Sequence, residues 1–346
     1  MIHDRSEPTD HIFICEGWQV FNDMFPFFKA LERSNKFFFT DVFHGINQDE
    51  QGVFPLSEIN KFSSINRKAV IYISLPRHFT KYVQNGGPLH FYKSTKIVRI
   101  FHGILGPWAN VIRSQPDFLD VIVAASDFDS RIWKQNSNYR VETIGWPKGE
   151  YFFRENQVKN SENSRNIIIS SNWAIGKADF RICDHIDELS DYKITFTLHP
   201  LILSNQSYKS KRRLDSGYIE RQLSKLKLCN NVEIVECPHG ILPHMQRKNL
   251  MLSVISSTSL EWMLFDKPIF FLREHPLLDF GPMIDFSKSI LAQIEQLKES
   301  NEHYEKRNTL RELISSHFDG KYANRFNDLA SQLEYELHYT RIRAAG

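Results

Sequence analysis

Two histidines and a run of hydroxyls stand where apolar runs end. His102-Gly103 follows the apolar stretch 97–101, and His199-Pro200 follows 192–198. Ser256, Ser257, Thr258 and Ser259 close the stretch 250–256 and open a helical pattern that carries Glu261. An apolar run that stops at a small polar group or a His-Pro turn reads as a strand delivering a site to its carboxyl end. The unperturbed imidazole pKa of about 6.5 suits His102 to take a proton from an attacking hydroxyl, and Gly103 admits a substrate close to the backbone. His199 is suited to donate to a phosphate oxygen and to stabilise the charge of a departing nucleotide. The hydroxyls 256–259, with the free amides of a helix start, make an anion site without a metal, and Glu261 one turn on can accept both ribose hydroxyls. The plainer alternatives are a turn histidine at 102, a stiff turn at 199–200 and simple helix capping at 256–259; four consecutive hydroxyls exceed what a cap needs. Taken together, the residues point to a transferase that uses a nucleotide-activated donor.

The elements that must position these groups alternate in type. Strands are expected at 11–15, 36–40, 69–74, 97–101, 120–125 and 140–144, with helices at 20–32 and 127–135 between them. The stretch 47–64 is polar and weakly patterned, a loop or short helix. The strand pattern stops at Gly145-Trp146-Pro147-Lys148-Gly149, and the charged, Asn- and Ser-rich stretch 156–165 is the best linker. Strands resume at 166–171, 192–198, 232–236, 250–256 and 268–272, with helices at 177–189, 218–228, 242–248 and 259–265. From 284 onward the pattern is helical, broken at Asp319-Gly320. Runs of Ile, Val and Phe separated by helices indicate parallel α/β sheets. The expected organisation is a Rossmann-like acceptor domain over 1–150 and a Rossmann-like nucleotide-donor domain over 151–346 with C-terminal helices. Their sheets would face an interdomain cleft.

Composition narrows the function classes. A chain of 346 residues suits two domains, and 41% hydrophobic with 24% charged residues suits a packed globular protein. With 43 basic and 41 acidic residues, the net charge of +2 lacks the basic face of a nucleic-acid binder. The 27 Phe read as core, with a lipid or partner contact near the N-terminus as the alternative. Cys15, Cys183, Cys229 and Cys237 have no CxxC spacing, so free thiols in a reducing compartment are expected. His239 and His244 lack companion ligands, so neither a metal nor another cofactor is expected. Glycine-rich phosphate-binding fingerprints are absent, which weakens NAD-dependent and ATP-hydrolysing readings. The polar first ten residues and the lack of any run of about 18 apolar residues point to a cytoplasmic protein. Attachment at the inner face of the membrane stays open, for which Lys209, Lys211, Arg212 and Arg213 form a short basic run.

In this order, the pieces resemble the CDP-glycerol glycerophosphotransferases that polymerise teichoic acids and some capsules, over roughly Ile97 to Leu333. Phe101-His102-Gly103 looks like the family's Trp-His-Gly, and Val121 to Ser126 like its strand ending in serine. Gly145-Trp146-Pro147-Lys148 is similar to a Gly-x-Pro-Arg hinge, and His199-Pro200 matches a His-Pro turn. Ser256, Ser257 and Glu261 line up with Ser-Ser-x-x-x-Asp, followed by Lys267-Pro268-Ile269. Asp319-Gly320 with Arg325 resembles Asp-Gly-x-x-x-x-Arg. The resemblance implies a GT-B fold, a base at His102, a pyrophosphate site at His199, Ser257 and Thr258, a ribose site at Glu261, and added charge from Lys148 and Arg325. Departures are Ser253 and Val254 where the family has Thr-Asp, Pro107 near the place of a family lysine, and no match over the first 95 residues. The implied reaction moves glycerol phosphate or a related polyol phosphate from a CDP-activated donor to a hydroxyl of a cell-surface glycan or glycolipid. A His-Pro turn with a serine cluster also resembles the CMP-binding halves of bacterial sialyltransferases and Kdo transferases. In that alternative the donor is a CMP-linked acidic sugar and the base a carboxylate such as Glu16. A non-catalytic nucleotide-binding module of a polysaccharide assembly complex is the third reading.

Overall fold

Strand β1 (Asp10–Cys15) alternates Ile and Phe and is buried at every position. A strand buried on both faces belongs inside a parallel sheet, and β1 has parallel neighbours on both sides. The computed structural model of the protein describes residues 8–42, 51–61, 67–74, 76–83, 87–89, 92, 94–101, 103–104, 118–155, 165–170, 180–198, 216–236, 241–273, 280–298 and 303–339. The further strands are β2 (Lys36–Thr40), β3 (Val53–Pro55), β4 (Lys68–Ile73), β5 (Ser94–Ile100), β6 (Val121–Ala124), β7 (Val141–Thr143), β8 (Asn166–Ser170), β9 (Lys193–Leu198), β10 (Val232–Glu236), β11 (Leu250–Ser253) and β12 (Ile269–Phe271). Among the described residues the helices are α1 (Trp18–Ala30), α2 (Pro76–Tyr82), α3 (Asp127–Asn136), α4 (Pro147–Glu155), α5 (Ser216–Lys227), α6 (Leu242–Gln246), α7 (Ser257–Met263), α8 (Ile290–Lys298), α9 (Tyr304–Ile314) and α10 (Tyr322–Tyr339), with 3-10 turns at Leu56–Lys61 and Arg181–Leu189.

The chain divides into two units, Met1–Phe152 with Ser315–Gly346, and Phe153–Ile314. Each holds one parallel sheet. The order is β3-β2-β1-β4-β5-β6-β7 in the first and β10-β9-β8-β11-β12 in the second. In each, the chain winds outward from the first strand, then returns to its other side, so a topological switch point lies between β1 and β4 and between β8 and β11. The parallel α/β fold class agrees with the sequence reading. The polar stretch 47–64 also contributes an edge strand, β3, which pairs with β2 from Phe38↔Val53 to Thr40↔Pro55.

Several described phenylalanines of the N-terminal half are core. Phe13, Phe28 and Phe38 are at most 1% exposed and pack on one face of the first sheet, with Phe13 stacked on Tyr72 at 4.2 Å between centroids. The same face takes Phe326, Leu329, Ala330, Leu333 and Leu337 from α10. The last helix therefore belongs to the first unit, whereas the sequence reading grouped all of 151–346 together. Its polar side adds long-range ties. Glu334 Oε1 meets His11 Nε2 at 2.6 Å and Arg33 Nε at 2.8 Å, and Glu336 Oε1 accepts from Arg140 Nη1 at 2.7 Å. Between the stop of the strand pattern at 145–149 and the expected linker from 156, residues 147–155 form α4, which starts on Pro147 where a missing N–H costs nothing. Most of the expected linker, 156–164, lies outside the described residues. The second core gathers Ile167, Ile169, Phe196, Leu250, Leu252, Phe270 and their neighbours. Among the described residues no helix is long and apolar enough to cross a membrane.

Leu333 is fully buried on α10. Leu333→Ala should therefore cost about 3 kcal/mol of unfolding free energy, measured by urea denaturation. A loss below about 1 kcal/mol, the size expected of a surface change, would show that α10 does not complete the first core.

Candidate functional site

In a doubly wound sheet the chain leaves adjacent strands in opposite directions at the switch point, opening a crevice beyond their carboxyl ends. In the second unit that place is the end of β8 and β11, which pair in parallel from Leu250↔Ile167 to Ser253↔Ser170. The two terminal residues are joined: Ser253 Oγ donates to the Ser170 carbonyl at 3.1 Å. Ser253 stands where the resembled family has threonine, and its hydroxyl serves the sheet. Val254, where the family has an acid, is fully buried.

Strand β11 stops at Ser253, three residues earlier than the sequence pattern suggests, because Ser256 turns the chain into α7. Ser256 is the N-cap, with φ −163° and ψ 172°. Its Oγ accepts from the Ser259 amide at 3.3 Å, and Ser259 Oγ accepts in return from the Ser256 amide at 2.9 Å. This reciprocal box occupies the two outer serines of the four. Ser257 and Thr258 lie between them, half-buried, in the first turn of α7. Their hydroxyls are not used by the cap, and as first residues of the helix their amides have no carbonyl one turn behind. Glu261, one turn further in, is 4% exposed. The helix is pinned at its far end by Trp262 Nε1, which donates to the carbonyls of Lys267 and Pro268 at 3.1 and 3.0 Å. Lys267 is buried, a desolvation that pushes its ammonium down to about 8, and donates to the Gln246 and Lys248 carbonyls. The Lys267-Pro268-Ile269 segment thus seats α7 and β12.

His199 follows Leu198, the last residue of β9, and His102 follows Phe101 beyond β5; both lie outside the described residues. Gly103 has φ 69°, in the left-handed region that favours glycine. Lys148 lies in the first turn of α4 with Nζ 5.8 Å from the centroid of the Trp146 ring, whose Nε1 donates to Asp23 at 2.8 Å. Arg325, read as charge for the phosphates, has a structural task. Its Nε donates to the Ile144 carbonyl at 2.7 Å, Nη2 to the His317 carbonyl at 3.3 Å, and both Nη atoms to the Asp319 carboxylate at 2.9 and 3.0 Å. The hydrogen bonds from Arg325 hold Asp319 down to about 2. Gly145 has φ 118°, and a Cβ there would come within 3.2 Å of Arg325 Nη2, so the glycine serves this clamp. Lys148 and Arg325 belong to the first unit, and Ser256 to Ser259 and Glu261 to the second.

Glu16 directly follows β1 at the first unit's switch point. Its Oε1 accepts from Lys81 Nζ and Tyr82 Oη, both at 2.9 Å, and its Oε2 lies 3.5 Å from His78 Nε2. Burial alone would raise its pKa, but these hydrogen bonds, with His78 and Lys81 close by, hold it down to about 2. A carboxylate that weakly basic is poorly matched to accept a proton near neutral pH. The sequence reading missed Lys81, Tyr82 and His78 as partners of Glu16; helix α2, which carries them, was not anticipated.

No family model matches the chain, and no curated protein matches it in sequence. Solved structures do resemble it. The wall teichoic acid polymerase TagF is 12% identical with a TM-score of 0.52, covering 97% of this chain and 92% of its own. A variant of that polymerase soaked with CDPG has a TM-score of 0.54. The S. aureus MnaA–UDP co-structure is 12% identical with a TM-score of 0.58, covering 95% of this chain and 97% of its own. UDP-GlcNAc 2-epimerase from Neisseria meningitidis, bound to UDP-GlcNAc, is 13% identical with a TM-score of 0.57, covering 94% of this chain and all of its own. At these identities the likeness concerns the fold, which is of the GT-B kind.

The division among the hydroxyls is open to mutation. Ser256→Ala should lose about 1 kcal/mol of stability with its cap, whereas Ser257→Ala should stay within about 0.5 kcal/mol of the parent, both read by urea denaturation. An equal loss in the two variants would mean that Ser257 is structural as well.

Proposed function

We propose that the protein is a transferase that moves glycerol phosphate, or a related polyol phosphate, from a CDP-activated donor to a hydroxyl of a cell-surface glycan or glycolipid. One observation carries the reading. The hydroxyls of Ser257 and Thr258 lie at the carboxyl edge of the second sheet's switch point, outside the cap made by Ser256 and Ser259. The GT-B likeness supports it, since structures sharing the fold were solved with CDPG or UDP. In this reading the acceptor oxygen attacks the phosphorus next to the polyol while His102 takes its proton. The bond to the CMP phosphate breaks, and the bridging oxygen leaves with its electron pair. His199, Ser257 and Thr258 donate to the departing phosphate, and Glu261 accepts from the ribose hydroxyls. Such a reaction needs mainly positioning and charge stabilisation. Lys148 is a candidate for added charge near the phosphates. Arg325, occupied with Asp319 and two carbonyls, is better placed to hold the fold.

The rival reading, transfer of a CMP-linked acidic sugar, needs a carboxylate base in the first unit. The depressed pKa of Glu16 speaks against that residue. Product analysis with CDP-glycerol and with CMP-linked sugars separates the two.

Thermal unfolding with CDP, CMP, UDP, GDP and ADP at matched concentration tests the pocket. A ligand at a hundredfold excess over its Kd adds about 2.7 kcal/mol to stability, so CDP should raise the midpoint most, and Ser257→Ala should reduce that rise. Stabilisation by UDP alone, or by no nucleotide, would overturn the cytidine site. His102→Ala should lower kcat by about 10²- to 10⁴-fold while leaving the CDP response intact; normal turnover in that variant would remove His102 as the base.

A further inference from the structure

A charged residue stands inside the apolar end of a strand. Strand β5 ends Ile97-Val98-Arg99-Ile100, and Arg99 is 2% exposed. Val98 and Ile100 face the core that α10 covers, so Arg99 shares the opposite face with Ile97. Its Nε donates to the Ser74 carbonyl at 3.1 Å, at the end of β4, and its guanidinium carbon lies 4.4 Å from the centroid of Phe101. Nη1 is buried and has no hydrogen-bond partner among the described residues. Among those residues no carboxylate offsets the charge: desolvation pushes the guanidinium down to about 9, and Tyr139 is the one group whose field favours the cation.

A second unanswered donor lies on the same face. Trp133, on α3, is fully buried, and its Nε1 also lacks a partner among the described residues. Its ring meets Phe101 edge-on with centroids 5.6 Å apart. Phe101 is therefore touched by two buried side chains, each with an N–H that no described residue accepts. Native proteins seldom leave such donors unpaired, and a charged one is the costliest to leave. A water would answer the indole but leave the guanidinium charge unbalanced. An oxyanion answers both, since its oxygens accept from neutral and cationic donors alike.

We propose that Arg99 and Trp133 form an oxyanion subsite in the first unit, at the carboxyl end of β5, and that it holds a phosphate or carboxylate group carried by the acceptor substrate. The assignment to the acceptor rests on the transferase reading above; the subsite itself does not. Arg99 escapes a sequence reading attentive to strand ends, because it lies within a strand. The available signal is a lone arginine in an otherwise apolar run.

The test uses the full-length protein, with inorganic phosphate and acetate as separate probes, each titrated with and without CDP while the thermal midpoint is followed. Phosphate or acetate should stabilise the parent, and the stronger probe identifies the oxyanion. Arg99→Met should abolish that response and leave the ligand-free midpoint equal or higher, because it removes an uncompensated buried charge. Trp133→Phe keeps the ring and removes only the N–H, and should weaken the anion Kd by about tenfold. Neither variant should alter the response to CDP. Failure of both anions to stabilise the parent, or an anion response unchanged in Trp133→Phe, would overturn the subsite, and this second variant decides the matter even if Arg99→Met does not fold. Loss of the CDP response in the parent would instead overturn the transferase reading and leave the anion result standing.

Discussion

Strands buried on both faces leave polar chemistry mostly to strand ends. Backbone pairing satisfies the interior of each sheet, and the helices that cover it leave no room for an unpaired polar group without a cost of a few kcal/mol. In the second unit, Ile167 to Ile169 and Leu250 to Leu252 are fully buried. The first polar side chains at the ends of these strands are Ser170 and Ser253, and the Ser253 hydroxyl, donating to the Ser170 carbonyl, already joins the two strands. Residues beyond β11, those of the turn into α7, are among the groups placed to meet a ligand at this edge.

That turn shows how one residue type divides its work. Serine at an N-cap and serine three residues later satisfy each other's amides, which fixes the direction in which α7 leaves the sheet. The two hydroxyls between them are then displayed by a frame that does not depend on them. Trp262 and Lys267 hold the other end of the helix through backbone carbonyls, so the frame is set from both sides. Under the proposed function, preorganisation of this kind would suit the binding of a departing phosphate, because little reordering would accompany the reaction.

The charged groups of the first unit sort by what answers them. Arg325 has a carboxylate and two carbonyls, and behaves as a clamp between α10 and the Gly145 turn. Glu16 has a lysine, a tyrosine and a histidine around it, which keeps it ionised and weakly basic. Arg99 has a single carbonyl and an aromatic face, and keeps one buried N–H unanswered among the described residues. Residues satisfied within the protein stabilise the fold; the one that is not is where a ligand would contribute most.

Much of the fold was legible in the sequence, because strand and helix periodicity are properties of one segment at a time. The apolar runs near 11–15, 97–101, 192–198 and 250–256 all mark strands, and the hydroxyl run marks a helix start. The edge strand Val53–Pro55 was hidden, since its three half-buried residues carry too short a pattern to separate from a loop. The amphipathic C-terminal helix was recognisable as a helix, but not its place on the first sheet, which is decided by shape against Phe13 and Phe38. At the site, residue order alone places four hydroxyls and a glutamate after β11. The long-range fold decides that Arg325 is held by a carbonyl 181 residues away and that Arg99 is held by no acid among the described residues. A residue's type and spacing state which bonds it can make. Which of them are already made depends on partners brought together from distant parts of the chain.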